Sequence, residues 1–270
     1  MLGTVQFGMV YGVTNQFGKP SKSDVFKLLE YAWEKGIKRF DTAPGYGSEE
    51  LLGEFSRANG LQRDIIVLTK VSGLSNSQDY RADICRSLDL SLEKLDSQIH
   101  TVFLHDANDS RLVLENEVFF RELLKSYQIN DFGISVYEAS EVEAVTTCEL
   151  ELAYQFPYNV LDRRFEGVKM TPGKRYARSI FLQGLLASPV CVENDLPGCL
   201  ISFQKRYHEE IERLGMNPVE LAVAAVGSSK QIDYILIGVE NLCQLAEILD
   251  CSAESNLPCS VLSSLLESCS

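Results

Sequence analysis

Short apolar runs rich in β-branched residues alternate along the chain with stretches whose apolar positions recur every three or four residues, and Gly, Asn, Asp or Ser marks most of the changes. The runs fall at residues 2–7, 37–40, 65–68, 99–104, 129–135, 151–156, 177–181 and 234–237. Each reads as a strand. Between them the spacing predicts helices. Ser23 can cap one that carries Phe26, Leu29, Ala32 and Trp33, with Gly36 placed to end it. Ser48 precedes Glu49 and Glu50, whose charges suit a helix N-terminus, while Leu51, Leu52 and Phe55 form the inward stripe. Ile84, Leu88, Leu92 and Leu95 make a third stripe, and two helical stretches, 202–214 and 218–226, crowd between the seventh and eighth runs. Strand and helix alternating through 270 residues predict an α/β chain. The expectation is a single-domain (β/α)8 TIM barrel over residues 1–270, not a doubly wound sheet with a second domain.

Composition then excludes several function classes. Hydrophobic residues are 45% and charged residues 23%, a globular balance. The 38 acidic and 25 basic side chains leave a net charge of −13, which disfavours nucleic acid and anionic membranes as partners. No apolar run reaches the roughly eighteen residues of a membrane span, and the opening segment, broken by Gly3, Gly8 and Gly12, reads poorly as a signal peptide. The expectation is a cytoplasmic protein. Its eight cysteines contain no Cys-x-x-Cys and stand away from His100, His105 and His208 at any metal-ligand spacing, so they read as reduced thiols with no metal site. The Ser- and Cys-rich residues 252–270 read as a last helix or a loosely held end. A near match to a phosphate loop at residues 12–19 has five residues between Gly12 and Gly18 and Pro20 where a magnesium-binding hydroxyl belongs, so it reads as a turn. Neither a G-x-G-x-x-G fingerprint nor a G-x-S-x-G elbow is present.

What remains is positional. In a barrel of parallel strands the loops after the strands converge on one face, and chemistry collects there. The second run ends in Asp41, the third in Lys70 and the fourth in His105, and Tyr46 follows in a Gly-Tyr-Gly turn. Singly, each has a plain structural explanation as a cap, a solvated cation, a core imidazole or a packed ring. Their shared position on neighbouring strands gives the set its meaning. A phenol with an ordinary pKa of about 10 is a poor acid at neutral pH, and a nearby Lys70 ammonium would lower it, with Asp41 as counter-ion. His105 would orient a carbonyl oxygen beside Tyr46. None of these residues is a suitable nucleophile, so hydride from a bound cofactor is the missing reagent.

The segment Phe40-Asp-Thr-Ala-Pro-Gly-Tyr-Gly-Ser-Glu-Glu-Leu-Leu-Gly53, with Asp41, Tyr46, Lys70 and His105 in that order, resembles the signature and catalytic tetrad of the aldo-keto reductase superfamily. The resemblance continues through Leu2-Gly-Thr-Val-Gln-Phe-Gly8, Gly133-Ile-Ser135, Tyr154-Gln155 with Tyr158-Asn159, and Phe181-Leu-Gln-Gly-Leu-Leu186. It implies carbonyl reduction with an extended nicotinamide cofactor, Tyr46 acting as general acid tuned by Asp41 and Lys70, and His105 placing the carbonyl. It further implies that Gly3 and Thr4 line the cofactor together with Asp41, and that Ser135 and Gln155 hold its carboxamide. Ser179, Phe181 and Gln183 would line it at the seventh strand, and Gly238, Val239, Gln244 and Glu247 would face its adenosine end.

Three departures from the family pattern stand out. Val136 follows Ser135 where members commonly have Asn. Arg178 and Ser179 stand where many carry a Tyr that stacks on the nicotinamide, leaving Phe181 as a substitute platform. Residues 238–249 hold Glu240 and Glu247 but no basic residue for a 2′-phosphate, so NADP(H) is expected with NAD(H) open. The expected partner is a small carbonyl or alcohol substrate. Two rival readings stay open: a cofactor-binding regulatory scaffold with little turnover, and a lyase or isomerase using Lys70 as a Schiff base. The physiological substrate and the oligomeric state are not legible.

Overall fold

A computed structural model describes residues 1–12, 15, 18–188, 196–251, 261 and 265. The strands are β1 (Leu2–Gly3), β2 (Arg39–Asp41), β3 (Ile66–Val71), β4 (Ile99–Leu104), β5 (Asp131–Ser135), β6 (Leu152–Pro157), β7 (Arg175–Arg178), β8 (Tyr234–Ile235) and β9 (Ile237–Gly238). The helices are α1 (Val5–Gly8), α2 (Lys22–Glu34), α3 (Glu49–Ala58), α4 (Tyr80–Leu95), α5 (Ser110–Glu115), α6 (Glu117–Tyr127), α7 (Ala139–Glu143), α8 (Gly198–Leu214), α9 (Pro218–Gly227) and α10 (Leu242–Asp250).

All strand pairs are parallel, in the order β8-β7-β6-β5-β4-β3-β2-β1-β9. The expected eighth strand is two short ladders on either side of Leu236, whose N–H donates to the Ala177 carbonyl at 2.8 Å. On the other side the Ile237 N–H donates to the Met1 carbonyl at 3.1 Å, and the sheet closes on itself as a (β/α)8 TIM barrel. The extra element of the seventh unit is present, as α8 and α9 both fall between β7 and β8.

Two apolar shells hold the barrel. The larger lies between the sheet and the helices, and a smaller one of Leu68, Phe103, Ala153 and Tyr176 fills the bore, with Met1, Ile66 and Tyr234 against it. This inner plug fixes which residues crown the barrel, because strand side chains alternate faces. Two residues beyond Leu68, Phe103, Ala153 and Tyr176 come Lys70, His105, Gln155 and Arg178. Gly133 has room for no Cβ beside Phe103 and Ala153, and two residues beyond it comes Ser135. On β2, Arg39 lies 4.7 Å from the Tyr234 ring centroid, and two residues beyond it comes Asp41.

Several sequence expectations are corrected by these contacts. The first run is a strand only at residues 2–3; residues 5–8 coil into α1, with the Phe7 N–H donating to the Thr4 carbonyl at 3.0 Å. β7 starts at Arg175 and stops at Arg178, before Ser179 turns to φ +58°. Phe181 and Gln183 therefore lie in the following turn, where Gln183 also has φ +55°. α2 is capped by Ser21, which accepts from the Asp24 N–H at 3.2 Å, two residues before the expected cap Ser23. Gly36, at φ +84°, ends that helix as expected.

The run of residues 252–270, apart from Val261 and Leu265, and most of the segment 188–197 lie outside the described residues, as do residues 13, 14, 16 and 17 of the rejected phosphate loop. Cys85, Cys148, Cys199, Cys243 and Cys251 are free, while Cys191, Cys259 and Cys269 lie outside the described residues. Among the described residues, no helix is long and apolar enough to cross a membrane, and no three His, Cys, Asp or Glu side chains are grouped to hold a metal ion.

Candidate active site

At the carboxyl end of the bore the polar crown of the barrel meets the turn after β2. Lys70 is 1% exposed, and its Nζ donates to Asp41 Oδ2 at 2.6 Å and to the Thr42 carbonyl at 2.9 Å. Asp41 Oδ1 accepts from Gln155 Nε2 at 2.7 Å, so both carboxylate oxygens are satisfied from strands on opposite sides. Burial pulls the Lys70 amine below its ordinary value, and Asp41 opposes that pull.

Tyr46 and His105 lie half-buried above this pair. Their rings meet edge to face with centroids 6.0 Å apart, and Lys70 Nζ lies 5.0 Å from the Tyr46 centroid. Sequence reasoning expected a phenol lowered by Lys70, whereas the phenol is raised overall. Burial raises the Tyr46 phenol, and the Asp41 carboxylate raises it further. The physical reason is that the ammonium is bonded to Asp41 and the Thr42 carbonyl, while the phenol is largely withdrawn from water. Burial and the Lys70 charge hold the His105 imidazole below its ordinary value, hence neutral at pH 7.

The turn that carries Tyr46 is locked from below. Thr4 Oγ1 donates to the Asp41 carbonyl at 3.0 Å and shares a 2.8 Å hydrogen bond with Ser48 Oγ, which lies 3.0 Å from Thr42 Oγ1. Ser48 thus joins three backbone segments instead of capping α3. Glu49, expected as a charge at a helix N-terminus, is 2% exposed and accepts from Thr69 Oγ1 at 2.8 Å. Gly8, at the end of α1, packs against this turn: a Cβ there would fall on the Tyr46 carbonyl. Thr42, Ser48 and Gly8 were missed as site-positioning residues, although all three lie in the segments that carry the family resemblance.

The residues assigned to the cofactor divide into two groups. Ser135 and Gln155 are register partners on β5 and β6, both buried, and Ser135 Oγ and Gln155 Oε1 have no protein partner among the described residues. They are acceptors of the kind a carboxamide N–H needs. Gly3 is the register partner of both Asp41 and Gly238 at the edge of the crown. The others are occupied differently. Thr4 is wholly buried in the Ser48 network, and Val239 is 1% exposed in the outer core. A Cβ on Gly238 would meet the Gln6 amide, so its lack of a side chain makes room for Gln6. Gln244 Oε1 accepts from the Glu240 N–H at 2.7 Å, and Glu247 is exposed. Phe181 is 8% exposed, and the Ser179 carbonyl accepts from Asn159 Nδ2 at 3.1 Å. Gln183 lies close to the first loop, its carbonyl 3.7 Å from where a Cβ on Gly12 would stand.

Residues 1–173, which include all of Asp41, Tyr46, Lys70 and His105, match the family described as the aldo/keto reductase family. The chain is 25% identical over 189 aligned positions to Aldo-keto reductase YhdN of Bacillus subtilis (strain 168), covering 67% of this chain and 56% of that protein. It is 28% identical over 204 positions to Oxidoreductase sirO of Leptosphaeria maculans, covering 68% and 59%. It is 25% identical over 301 positions to Pyridoxal 4-dehydrogenase of Microbacterium luteolum, covering 89% and 85%. The chain therefore spans less than two thirds of the first two of these relatives. The matched residues hold the buried pair and the two rings above it: the chain belongs to the aldo/keto reductase family.

Proposed function

We propose that the chain reduces an aldehyde or ketone to an alcohol with a nicotinamide cofactor, NADP(H) or NAD(H). The observation that carries this reading is the buried Asp41 and Lys70 pair seated beneath a half-buried Tyr46 and His105 at the mouth of the bore. The free acceptors Ser135 Oγ and Gln155 Oε1 fit a carboxamide, and a bound dihydronicotinamide would supply hydride to the carbonyl carbon.

The chain's own residues then do the rest. His105, neutral at working pH, donates an N–H to the substrate oxygen and fixes its direction. Tyr46 Oη, held protonated by burial, passes its proton to that oxygen as charge develops, and the phenolate regains a proton from solvent. Lys70, bonded to Asp41, lies 5.0 Å from the phenol ring centroid, where its charge favours the phenolate formed in that step. Asp41 and Gln155 keep the ammonium in place.

The Schiff-base alternative is disfavoured, because an amine 1% exposed and bonded to a carboxylate and a carbonyl is not free to attack a substrate. Glu240, whose carboxyl is raised by burial, and exposed Glu247 offer nothing to a 2′-phosphate, which supports a weak preference between NADPH and NADH. The test is deuterium transfer from labelled NADPH or NADH to an aldehyde panel, read by mass spectrometry of the alcohol. Label in the product is expected. Tight nucleotide binding with no label transferred to any aldehyde would overturn the reading in favour of a binding scaffold.

A further inference from the structure

The crown of the barrel holds a cation that the proton and hydride steps do not use. Arg178 ends β7 two residues beyond Tyr176, one of the residues that fill the bore, and is the register partner of Pro157. It therefore faces the same mouth as Lys70, His105 and Gln155. Its guanidinium lies 4.0 Å from the Tyr137 ring centroid, and Nη2 donates to the Val136 carbonyl at 3.2 Å. Its Nε is buried without a partner. Only one of the five N–H donors of a guanidinium is thus accounted for among the described residues.

Among the described residues, no carboxylate forms an ion pair with it either. Asp41 is bonded to Lys70 and Gln155, Glu138 is paired with Arg164, and Asp106 accepts from the backbone and side chain of Asn108. Asp41 and Lys70 offset each other, and among the described residues no ion pair involves Arg178, in a chain whose net charge is −13. A partly buried guanidinium with no ion-pair partner among the described residues, at the same mouth as Tyr46 and His105, is suited to an anion. Tyr46, Lys70 and His105 all register its charge, which holds each of them lower than it would otherwise be, and this places it within electrostatic reach of the chemistry.

We infer that Arg178 anchors an anionic group, a carboxylate or a phosphate, on the carbonyl substrate itself. The inference rests on the reductase reading and narrows its substrate class to aldehydes or ketones that carry such a group close to the carbonyl. The planar fork can donate to two oxygens at once, while Tyr137 and the Val136 carbonyl hold it in orientation.

The test compares matched pairs in the wild-type chain, in Arg178→Gln and in Arg178→Lys, with melting temperatures showing that each variant is folded. One pair is 4-carboxybenzaldehyde and its methyl ester; the other is glyceraldehyde 3-phosphate and glyceraldehyde. The wild type should favour the anionic member of at least one pair in kcat/KM, and the pair that shows it identifies which anion is taken. Arg178→Gln should reduce that preference by about tenfold or more, the scale of a charge-assisted bond, and Arg178→Lys should restore part of it. If Arg178 is only a latch holding the Val136 carbonyl, or binds the nucleotide, both members of each pair will fall together and the ratio will not move, which would overturn the inference. If no aldehyde is turned over, the reductase reading fails, and calorimetry of 4-carboxybenzaldehyde then decides for Arg178 alone. Binding that is lost in Arg178→Gln upholds the anion site, and absent binding or equal binding in both chains overturns it.

Discussion

Asp41 and Lys70 form an ion pair that cannot be dismantled one residue at a time. Both side chains are removed from water, and each satisfies the other. Lys70→Met would leave a buried carboxylate with Gln155 as its remaining side-chain donor and should destabilise the fold by about 3 to 5 kcal/mol, read from the denaturation midpoint. Adding Asp41→Asn should recover much of that loss, and a single variant as stable as the wild type would refute the pairing. The titrations of Tyr46 and His105 set the pH behaviour. With the phenol raised and the imidazole lowered, both stay neutral through the physiological range, so carbonyl reduction should be flat there. Alcohol oxidation needs the phenolate and should climb with pH. For stability the sign follows from His105 binding its proton less readily when folded. Its contribution is complete above the ordinary imidazole value of about 6.5 and declines as the pH falls from there toward the lowered folded value. An NMR titration placing His105 above its unfolded value would contradict this. Asp41, Lys70 and His105 were legible in the sequence because each falls within one residue of a strand's end. Their charge balance was not, because burial decides it and burial is a property of the whole crown.

Glycines decide how closely the elements approach. A Cβ on Gly53 of α3 would fall on the Lys94 carbonyl of α4, whereas one on Gly45 would meet nothing within 4 Å. Gly53→Ala should therefore destabilise the fold by roughly 1 to 3 kcal/mol by forcing α3 and α4 apart, while Gly45→Ala leaves the denaturation midpoint nearly unchanged. Equal midpoints for the two would show that the helices yield freely. Gly8→Ala acts on the site instead. It pushes α1 off the Tyr46 turn, and a displacement of about 1 Å there should lower turnover by around a hundredfold. At this scale the sequence was legible in the long, strongly patterned elements: α4, β4 and β6 fall where the spacing puts them. It misled at the rim. Residues 5–7 carry strand-like side chains, yet the Thr4, Asp41 and Ser48 network draws the backbone into α1. The left-handed backbone at Ser179 ends β7 at a residue type that does not announce a break.

On the scale of the molecule, the crown sits within an acidic protein. The net charge of −13 works against compactness through self-repulsion, so added salt should raise the melting temperature; a flat or falling curve would show that local pairs dominate instead. The barrel itself was legible because eight alternations leave few other ways to bury every strand. The mouth was legible only in part: Arg178 could be read as a departure from the family pattern, but its aim into the bore follows from the packing of Tyr176 on Phe103 and Tyr234. The account as a whole depends on Tyr46 giving the proton. It is tested most directly by the single-turnover rate of hydride transfer to an aldehyde, measured in wild type and Tyr46→Phe with nucleotide affinity determined on the same samples. A fall of about a hundredfold to ten-thousandfold with affinity retained is the predicted result, and transfer at the wild-type rate would contradict it.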